Sequence, residues 1–186
     1  MSDDVSLMLR ASRGDRKAFR SLVERHQQSV YNFFLRTTGH PEDAEDLTQQ
    51  LFINLYRSAG RYKPTASFRT FMYRIASNLA VSFARSRHRR DGVSLDQMLD
   101  EGREPPRHRL HDDPAAGAEW SELEEAYLAA LAELPADWRT AVELRVGRQL
   151  SYKEIAQVMG KSVSAVESIL FRARERLAEK LEPFKE

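Results

Sequence analysis

The side chains that could do chemistry in this sequence are few, and their spacing points to binding rather than catalysis. There is no cysteine among the 186 residues, which removes disulfides, thiolate metal sites, cysteine nucleophiles and CxxC redox centres. Asp43 and Asp46, taken with a histidine, could be read as the ligands of a helical nuclease. They share one helix face with Gln49 and Gln50, whereas a hydrolytic metal site needs ligands converging from several elements. His108 and His111 stand beside Asp112 and Asp113 in a stretch rich in proline and glycine, which does not preorganise ligands. No HExxH, GxSxG or phosphate-cradling glycine loop occurs. The expectation is a protein that is not an enzyme and holds no cofactor or metal. Two stretches carry binding chemistry instead. SFRTFMYRIASNLAVSFARSRHRR, residues 67–90, mixes aromatic and basic side chains and contains no acid, a composition suited to stacking of unpaired bases and to phosphate contacts. LSYKEIAQVMGKSVSAVESILFRARERL, residues 150–177, sets two short amphipathic segments on either side of a glycine.

The elements that position these groups read as helices throughout. Leu and Ala are 41 residues together, whereas Val, Ile and Thr are only 20, an excess of helix formers over β-branched residues. Asp15 can cap a helix from Arg16 to about Arg36 with a stripe of Phe19, Leu22, Val23, Val30, Phe33 and Phe34; Gly39 ends it and Pro41 starts the next. That next helix has Ala44, Leu47, Leu51, Leu55 and part of Phe52 on one side, and Asp43, Asp46, Gln49, Gln50 and Asn54 on the other. The acids of its first turn suit the positive end of a helix; Asp46 and the glutamines are not explained that way and could equally dock a basic partner helix. The loop RYKPTASF follows, broken by Pro64, and Ser67 caps a long helix. Phe68, Phe71, Met72, Ile75, Leu79 and Phe83 form its expected buried stripe, with Arg69, Tyr73, Arg74, Asn78, Arg85, Arg87, Arg89 and Arg90 on the other face.

Charge divides the chain into three. Residues 1–90 carry 16 Lys+Arg and 8 Asp+Glu, residues 91–133 carry 3 and 12, and residues 134–186 carry 10 and 8. Two basic modules joined by an acidic connector are suited to a polyanion. Six of the 15 glycines and prolines fall between Asp91 and Gly117, so residues 91–117 are expected to form a flexible acidic linker between modules at 1–90 and 118–186. This linker is either a tether or a segment that lies in a basic channel of a partner. No run approaches the roughly 18 apolar residues of a membrane span, and MSDDVSLMLR lacks the apolar core of a secretory signal. A cytoplasmic protein without membrane insertion of its own is expected.

Past the linker, a helix from about Glu119 to Glu133 precedes PADWRTAVELRVGRQ, with Trp138, Val142, Leu144 and Val146 as core candidates. Ser151 and Glu154 form a capping box ahead of Ile155, Ala156, Val158 and Met159; Gly160 breaks that helix, and a second begins near Ser162 with Val166, Leu170, Ala173 and Leu177 inside. This is the pattern of a helix-turn-helix, whose second helix enters the major groove of DNA. Its leading edge is Ser164, Ala165, Glu167, Ser168, Phe171 and Arg172.

The order of these parts resembles a bacterial RNA polymerase sigma factor of the sigma-70 family, in its compact extracytoplasmic-function group. DAEDLTQQLF at 43–52 is similar to the part of sigma region two that docks on polymerase, SFRTFMYRIASNLA at 67–80 to its promoter-melting helix, and residues 130–177 to sigma region four. The resemblance implies an all-α protein of two small helical domains that binds core RNA polymerase and directs it to promoters. It places Asp43, Asp46, Gln49 and Gln50 on the polymerase-docking face. It places Lys63, Pro64, Thr65, Ala66 and Ser67 at a flipped non-template base of the −10 element. Arg74 and Asn78 would meet the melted strand, with Arg85, Arg87, Arg89 and Arg90 on nearby phosphates. Ser168, Phe171 and Arg172 match residues that meet the −35 duplex, with Ser164, Ala165 and Glu167 beside them and Tyr152, Lys153 and Lys161 near the backbone. An anti-sigma factor is the implied antagonist.

The sequence departs from the family pattern in four places. Gln50 and Phe71 stand where Glu and Trp are frequent; Glu167 and Ile169 stand where basic residues are frequent. The recognition helix is therefore less basic, and Glu167 could accept from cytosine N4 while repelling phosphate. A stand-alone helix-turn-helix regulator would account for 135–182 but leaves the acidic-amide helix and the RYKPTASF loop without a role.

Overall fold

The computed structural model describes residues 3–90 and 122–184, without the side chains of His88, Arg90, Glu122, Glu124 and Phe184. Among the described residues there are eight α-helices and no strand. Helices α1 (Asp3–Ala11), α2 (Arg16–Thr38), α3 (Pro41–Ser58) and α4 (Phe68–Arg90) form the first module, and α5 (Glu122–Ala132), α6 (Ala136–Val142), α7 (Tyr152–Met159) and α8 (Val163–Lys180) the second. The expected linker, 91–117, lies outside the described residues, as do residues 119–121 of the helix expected from Glu119.

The helix ends follow local chemistry. Asp15 accepts from the backbone N–H groups of Lys17 and Ala18, both at 3.0 Å, and Gly39 closes α2 at φ 79°, a left-handed conformation that costs a residue without Cβ nothing. Ser67 accepts from the Thr70 N–H at 3.1 Å to start α4. Helix α1 has no counterpart among the expected elements. Its Leu7, Met8 and Ala11 are buried against the first module, and Asp4 ties it to α2 through Arg25 and through His26 Nε2 at 3.0 Å. Burial lowers the His26 pKa despite that carboxylate.

The core of the first module is Leu22, Val30, Phe33 and Phe34 of α2, Ala44, Leu47, Leu51 and Leu55 of α3, and Phe68, Met72, Tyr73, Ala76 and Ala80 of α4. Two expectations fail here for one reason. Tyr73, expected on the solvent-facing side of α4, is buried, lies tilted against Phe33 at a ring distance of 5.5 Å and has its hydroxyl 3.3 Å from Ser29 Oγ. Phe71, Ile75, Leu79 and Phe83, expected inside, are only half-buried. Helix α4 is covered on one side by α2 and α3 and on another by α6 and α7, so its buried arc is wider than a single stripe and rotated from it.

The second module departs from regular helix at one point. After α6 the chain widens into a π turn over Glu143–Gly147, with the Arg148 N–H donating to the Glu143 carbonyl at 3.0 Å. The extra residue per turn moves Val146, expected in the core, to 62% exposed and swings Glu143 inward to 2%. The helix-turn-helix forms as expected. Ser151 and Glu154 cap one another reciprocally, Gly160 turns at φ 63°, and Ser162 accepts from the Ala165 N–H at 3.2 Å.

The two modules pack on one another: α6 and α7 against α4, and α5, α6 and the π turn against α2. Their buried apolar side chains form one continuous cluster. Arg139 of α6 pins this junction, donating to the Thr37 carbonyl at the end of α2 (2.7 Å), to the Leu134 carbonyl (3.1 Å) and to the Ala132 carbonyl at the end of α5.

The unanticipated first helix gives a direct test of this packing. Met8→Ala removes a side chain that is 0% exposed and should cost about 2–5 kcal/mol, comparable to Leu51→Ala in α3. The check is the urea midpoint of each variant; a Met8→Ala midpoint equal to that of the parent would detach α1 from the core.

Candidate nucleic-acid interface

Three surfaces carry the side chains singled out from the sequence. The first is α3. Its buried leucines turn Asp46, Gln49 and Gln50 out to solvent, whereas Asp43 is half-buried and pairs with Arg87 of α4 at 3.5 Å. Two groups assigned from the sequence to different partners, polymerase and phosphate, therefore hold each other. Further along the same helix the polar face becomes apolar: Ile53 and Tyr56 are 50% and 47% exposed. With Phe19, Phe52 and Arg57 they line a shallow groove of about 280 Å³, and Phe19 meets Tyr56 edge-on at 5.0 Å. Ile53 and Tyr56 were not among the residues expected to function. Their signal was available: they lie one turn beyond Gln49 and Phe52, off the buried stripe, where a solvated face would carry polar residues.

The second surface is the loop before α4 and the exposed side of that helix. A hydrogen bond of 2.8 Å from the Thr65 N–H to the Lys63 carbonyl closes a tight turn around Pro64. Lys63, Pro64, Thr65 and Ser67 are exposed and Ala66 is half-buried. The loop rests on Tyr62, which is buried against Phe71 at a ring distance of 5.0 Å; burial raises the pKa of its phenol. Arg74, Asn78 and Arg85 are exposed along α4, and Arg89 reaches back to Ser86 Oγ at 3.3 Å. The side chain of Arg90 lies outside the described residues. Loop, Arg74 and Asn78 thus offer adjacent polar and cationic groups on a rigid base, while Arg87 is tied to Asp43. Arg69 is engaged differently, donating to the Arg148 carbonyl of the second module at 2.7 Å.

The third surface is the leading edge of α8. Ser164, Glu167, Ser168, Phe171 and Arg172 are exposed, and Ala165 is half-buried. Phe171 is 60% exposed, a large apolar ring turned mostly to solvent. A groove of about 340 Å³ runs beside it, lined by Trp138, Lys161, Ser162, Ala165, Ser168, Ile169 and Arg172. Not every expected group is free to bind. Lys161 pairs with Asp137 at 3.0 Å, and the Ser168 hydroxyl donates to the Ser164 carbonyl at 3.0 Å. Tyr152 is half-buried under the Arg145 guanidinium, 5.4 Å from its ring centre, and Lys153 is exposed. Hydrogen bonds from Ser151 hold the Glu154 carboxyl below its ordinary pKa, which favours the ionised carboxylate that completes the capping box of α7.

Comparison with known proteins matches these surfaces to a family. Residues 22–90 fit the model of sigma-70 region 2, and residues 124–177 that of sigma-70, region 4. The chain is 36% identical to the RNA polymerase sigma-H factor of Pseudomonas aeruginosa over 97% of its own length and 94% of the relative's. It is 35% identical to the ECF RNA polymerase sigma-E factor of Haemophilus influenzae, covering 97% of this chain and 96% of that one. Among solved structures, CnrH in complex with the cytosolic domain of CnrY superposes with a TM-score of 0.68 at 26% identity, over 99% of this chain and 100% of that one. The sigma factor RpoE of Bartonella quintana, solved with the anti-sigma factor NepR, shares the fold at a TM-score of 0.69 and 22% identity, over 89% and 98%. With both regions in this order and the relatives matched nearly end to end, the chain belongs to the sigma-70 family of RNA polymerase sigma factors, in its ECF group.

Proposed function

We propose that this protein binds bacterial core RNA polymerase and directs it to promoters by reading a −10 element with its first module and a −35 element with its second. The observation that carries this reading is the presence, on one chain, of an exposed acid-and-amide helix face, a loop-and-helix surface for an unstacked strand and a helix-turn-helix for duplex DNA. Neither a stand-alone regulator nor an enzyme needs all three, and the chain's relatives are transcription factors rather than enzymes.

In this reading Asp46, Gln49 and Gln50 dock on polymerase, with Ile53 and Tyr56 extending the contact into the apolar groove. Asp43 contributes after exchanging Arg87 for a partner cation. The turn at Lys63–Ser67 receives a base flipped from the non-template strand, whose unstacking costs a few kcal/mol, offset by stacking and edge contacts. Arg74, Asn78, Arg85 and Arg89, with Arg87 and Arg90, follow its phosphates. Arg172, Phe171 and Ser168 meet the −35 base edges, flanked by Ser164, Ala165 and Glu167, while Tyr152, Lys153 and Lys161 sit toward the backbone. The domains are residues 1–90 and 118–186, joined by the linker 91–117.

An anti-sigma factor controls the protein in this reading; the relative CnrH, held in its solved complex by the cytosolic domain of CnrY, supports a protein antagonist. No helix among the described residues is long and apolar enough to cross a membrane, which accords with work beside the polymerase in the cytoplasm.

Transcription from genomic fragments with core polymerase, with and without this protein, tests the function. Discrete start sites that need the protein are expected; a footprint made on duplex DNA by the protein alone, with no new starts, would instead identify a stand-alone regulator. Asp46→Ala should weaken core-polymerase binding by about 1.5–3 kcal/mol, the range for losing a hydrogen bond to a charged group, while leaving the unfolding midpoint unchanged. Equal affinity in a titration against core polymerase would remove α3 from the docking surface. Arg172→Ala should lower affinity for the −35 duplex by roughly 1–3 kcal/mol and relax specificity at one base position. A uniform loss on all sequences would reduce Arg172 to a phosphate contact.

A further inference from the structure

We propose that Glu167 sets base specificity at the −35 element by accepting a hydrogen bond from the exocyclic amine of a cytosine, so that one position of that element is selected as cytosine. The inference rests on the promoter-reading function above and assigns one base that this function leaves open.

Glu167 has none of the ordinary reasons for an acid on a helix. Ser162 caps α8, so Glu167 lies in the second turn, beyond the first turn over which the positive end of a helix stabilises an anion. Three and four residues away stand Val163, Ser164, Leu170 and Phe171, none of them a cation that could pair with it across the helix surface. The other acids of α8 differ: Glu175 and Glu179 each follow an arginine by three residues, Arg172 and Arg176. Glu167 is exposed, and among the described residues no hydrogen bond or ion pair reaches its carboxylate. Lys161, the cation that leads into α8, is engaged by Asp137 at 3.0 Å.

The carboxylate also has a defined place on the binding face. Val166, Leu170 and Ala173 turn inward, which leaves Ser164, Ser168 and Phe171 in the middle of the exposed arc. Glu167 and Arg172 are five residues apart, about 140° round the helix, and bound that arc on its two sides. Between them the Ser168 hydroxyl donates to the Ser164 carbonyl at 3.0 Å, and the Phe171 ring has no polar atom. Glu167 and Arg172 therefore carry the charged hydrogen-bonding groups of this edge. A guanidinium only donates, which suits guanine O6 and N7, whereas a carboxylate only accepts.

That restriction selects a base. In the major groove only cytosine N4 and adenine N6 donate; guanine and thymine present acceptors alone. On adenine the N7 acceptor lies beside the amine and repels a carboxylate, which leaves cytosine. The same charge repels the phosphates of every sequence alike. A group that opposes binding in general and stabilises the complex on one base exchanges affinity for discrimination.

The test is transcription by core polymerase with the full-length protein on a promoter library randomised across the −35 element, read by sequencing the templates transcribed. With the unmodified protein one position should favour cytosine on one strand by about tenfold, equivalent to about 1.4 kcal/mol. Glu167→Gln keeps the shape and adds a donor, so that position should move to adenine, whose N6 and N7 a side-chain amide pairs with, while the other positions stay as they were. Glu167→Ala should flatten the same position and raise output from templates that lack the cytosine. Urea midpoints equal to that of the parent would place these changes at the DNA rather than in the fold. No cytosine preference in the unmodified protein, or Gln and Ala variants that raise output from all templates equally, would overturn the assignment of Glu167 and leave promoter reading intact. Absence of protein-dependent transcripts from every template would instead overturn the promoter-reading function, and this inference with it.

Discussion

One buried guanidinium stands where the two modules meet, inside the apolar cluster they share. Arg139 gives hydrogen bonds to the Thr37 and Ala132 carbonyls, at helix ends with no partner within their own helices, and to the Leu134 carbonyl in the turn between α5 and α6. It thereby fixes the end of α2, the end of α5 and the start of α6 at one point. Burial lowers its pKa to about 10, which leaves it charged near neutrality and able to interact with the negative ends of two helices. Around this anchor lie the π turn that follows it, the inward Glu143, and the packing of α7 on α4.

Within each module the recognition surfaces depend on how the interior is filled. The α3 leucines and the α2 phenylalanines fix which face of α3 meets solvent, so Asp46 and Gln49 are presented by packing rather than by any bond of their own. In the second module Ile155, Val158, Val166 and Leu170 set α7 against α8, and the capping box and Gly160 fix the turn between them. Phe171 and Arg172 reach solvent as a consequence. The ion pairs Asp43–Arg87 and Lys161–Asp137 occupy charged groups assigned to partners. Both are partly exposed, and exposed pairs of this kind are weak. Such pairs hold charge in place at small cost and exchange readily for a stronger partner.

Much of this was legible before the fold was known. The stripes of α2, α3 and α8, the caps at Asp15, Ser67 and Ser151, and the turn at Gly160 are local signals, set by residues within four or five positions of one another. The misreadings arose where distant contacts decide. Tyr73 reads as a surface aromatic because its neighbours are basic, yet Phe33 and Arg148 enclose it from two modules. Val146 has the right spacing for a core residue of a regular helix; the π turn displaces it, and no residue in the sequence announces that turn. Helix α1 carries too weak a local signal to be read, because its stripe is short and gains its burial from α2. Ile53 and Tyr56 carried a readable signal, apolar residues on a polar face, which the strong leucine stripe beside them obscured.

The central claim is that a single chain touches two separated stretches of one promoter, the loop before α4 on an unpaired strand and α8 on duplex. Photo-crosslinking in the assembled complex of core polymerase, protein and promoter tests it most directly, with the photoreactive residue placed at Thr65 or at Phe171. The account predicts crosslinks from Thr65 to the non-template strand and from Phe171 to duplex about 25 base pairs upstream, roughly 85 Å along the helix axis. Crosslinks from both positions to the same stretch of DNA, or from Phe171 to none, would contradict it.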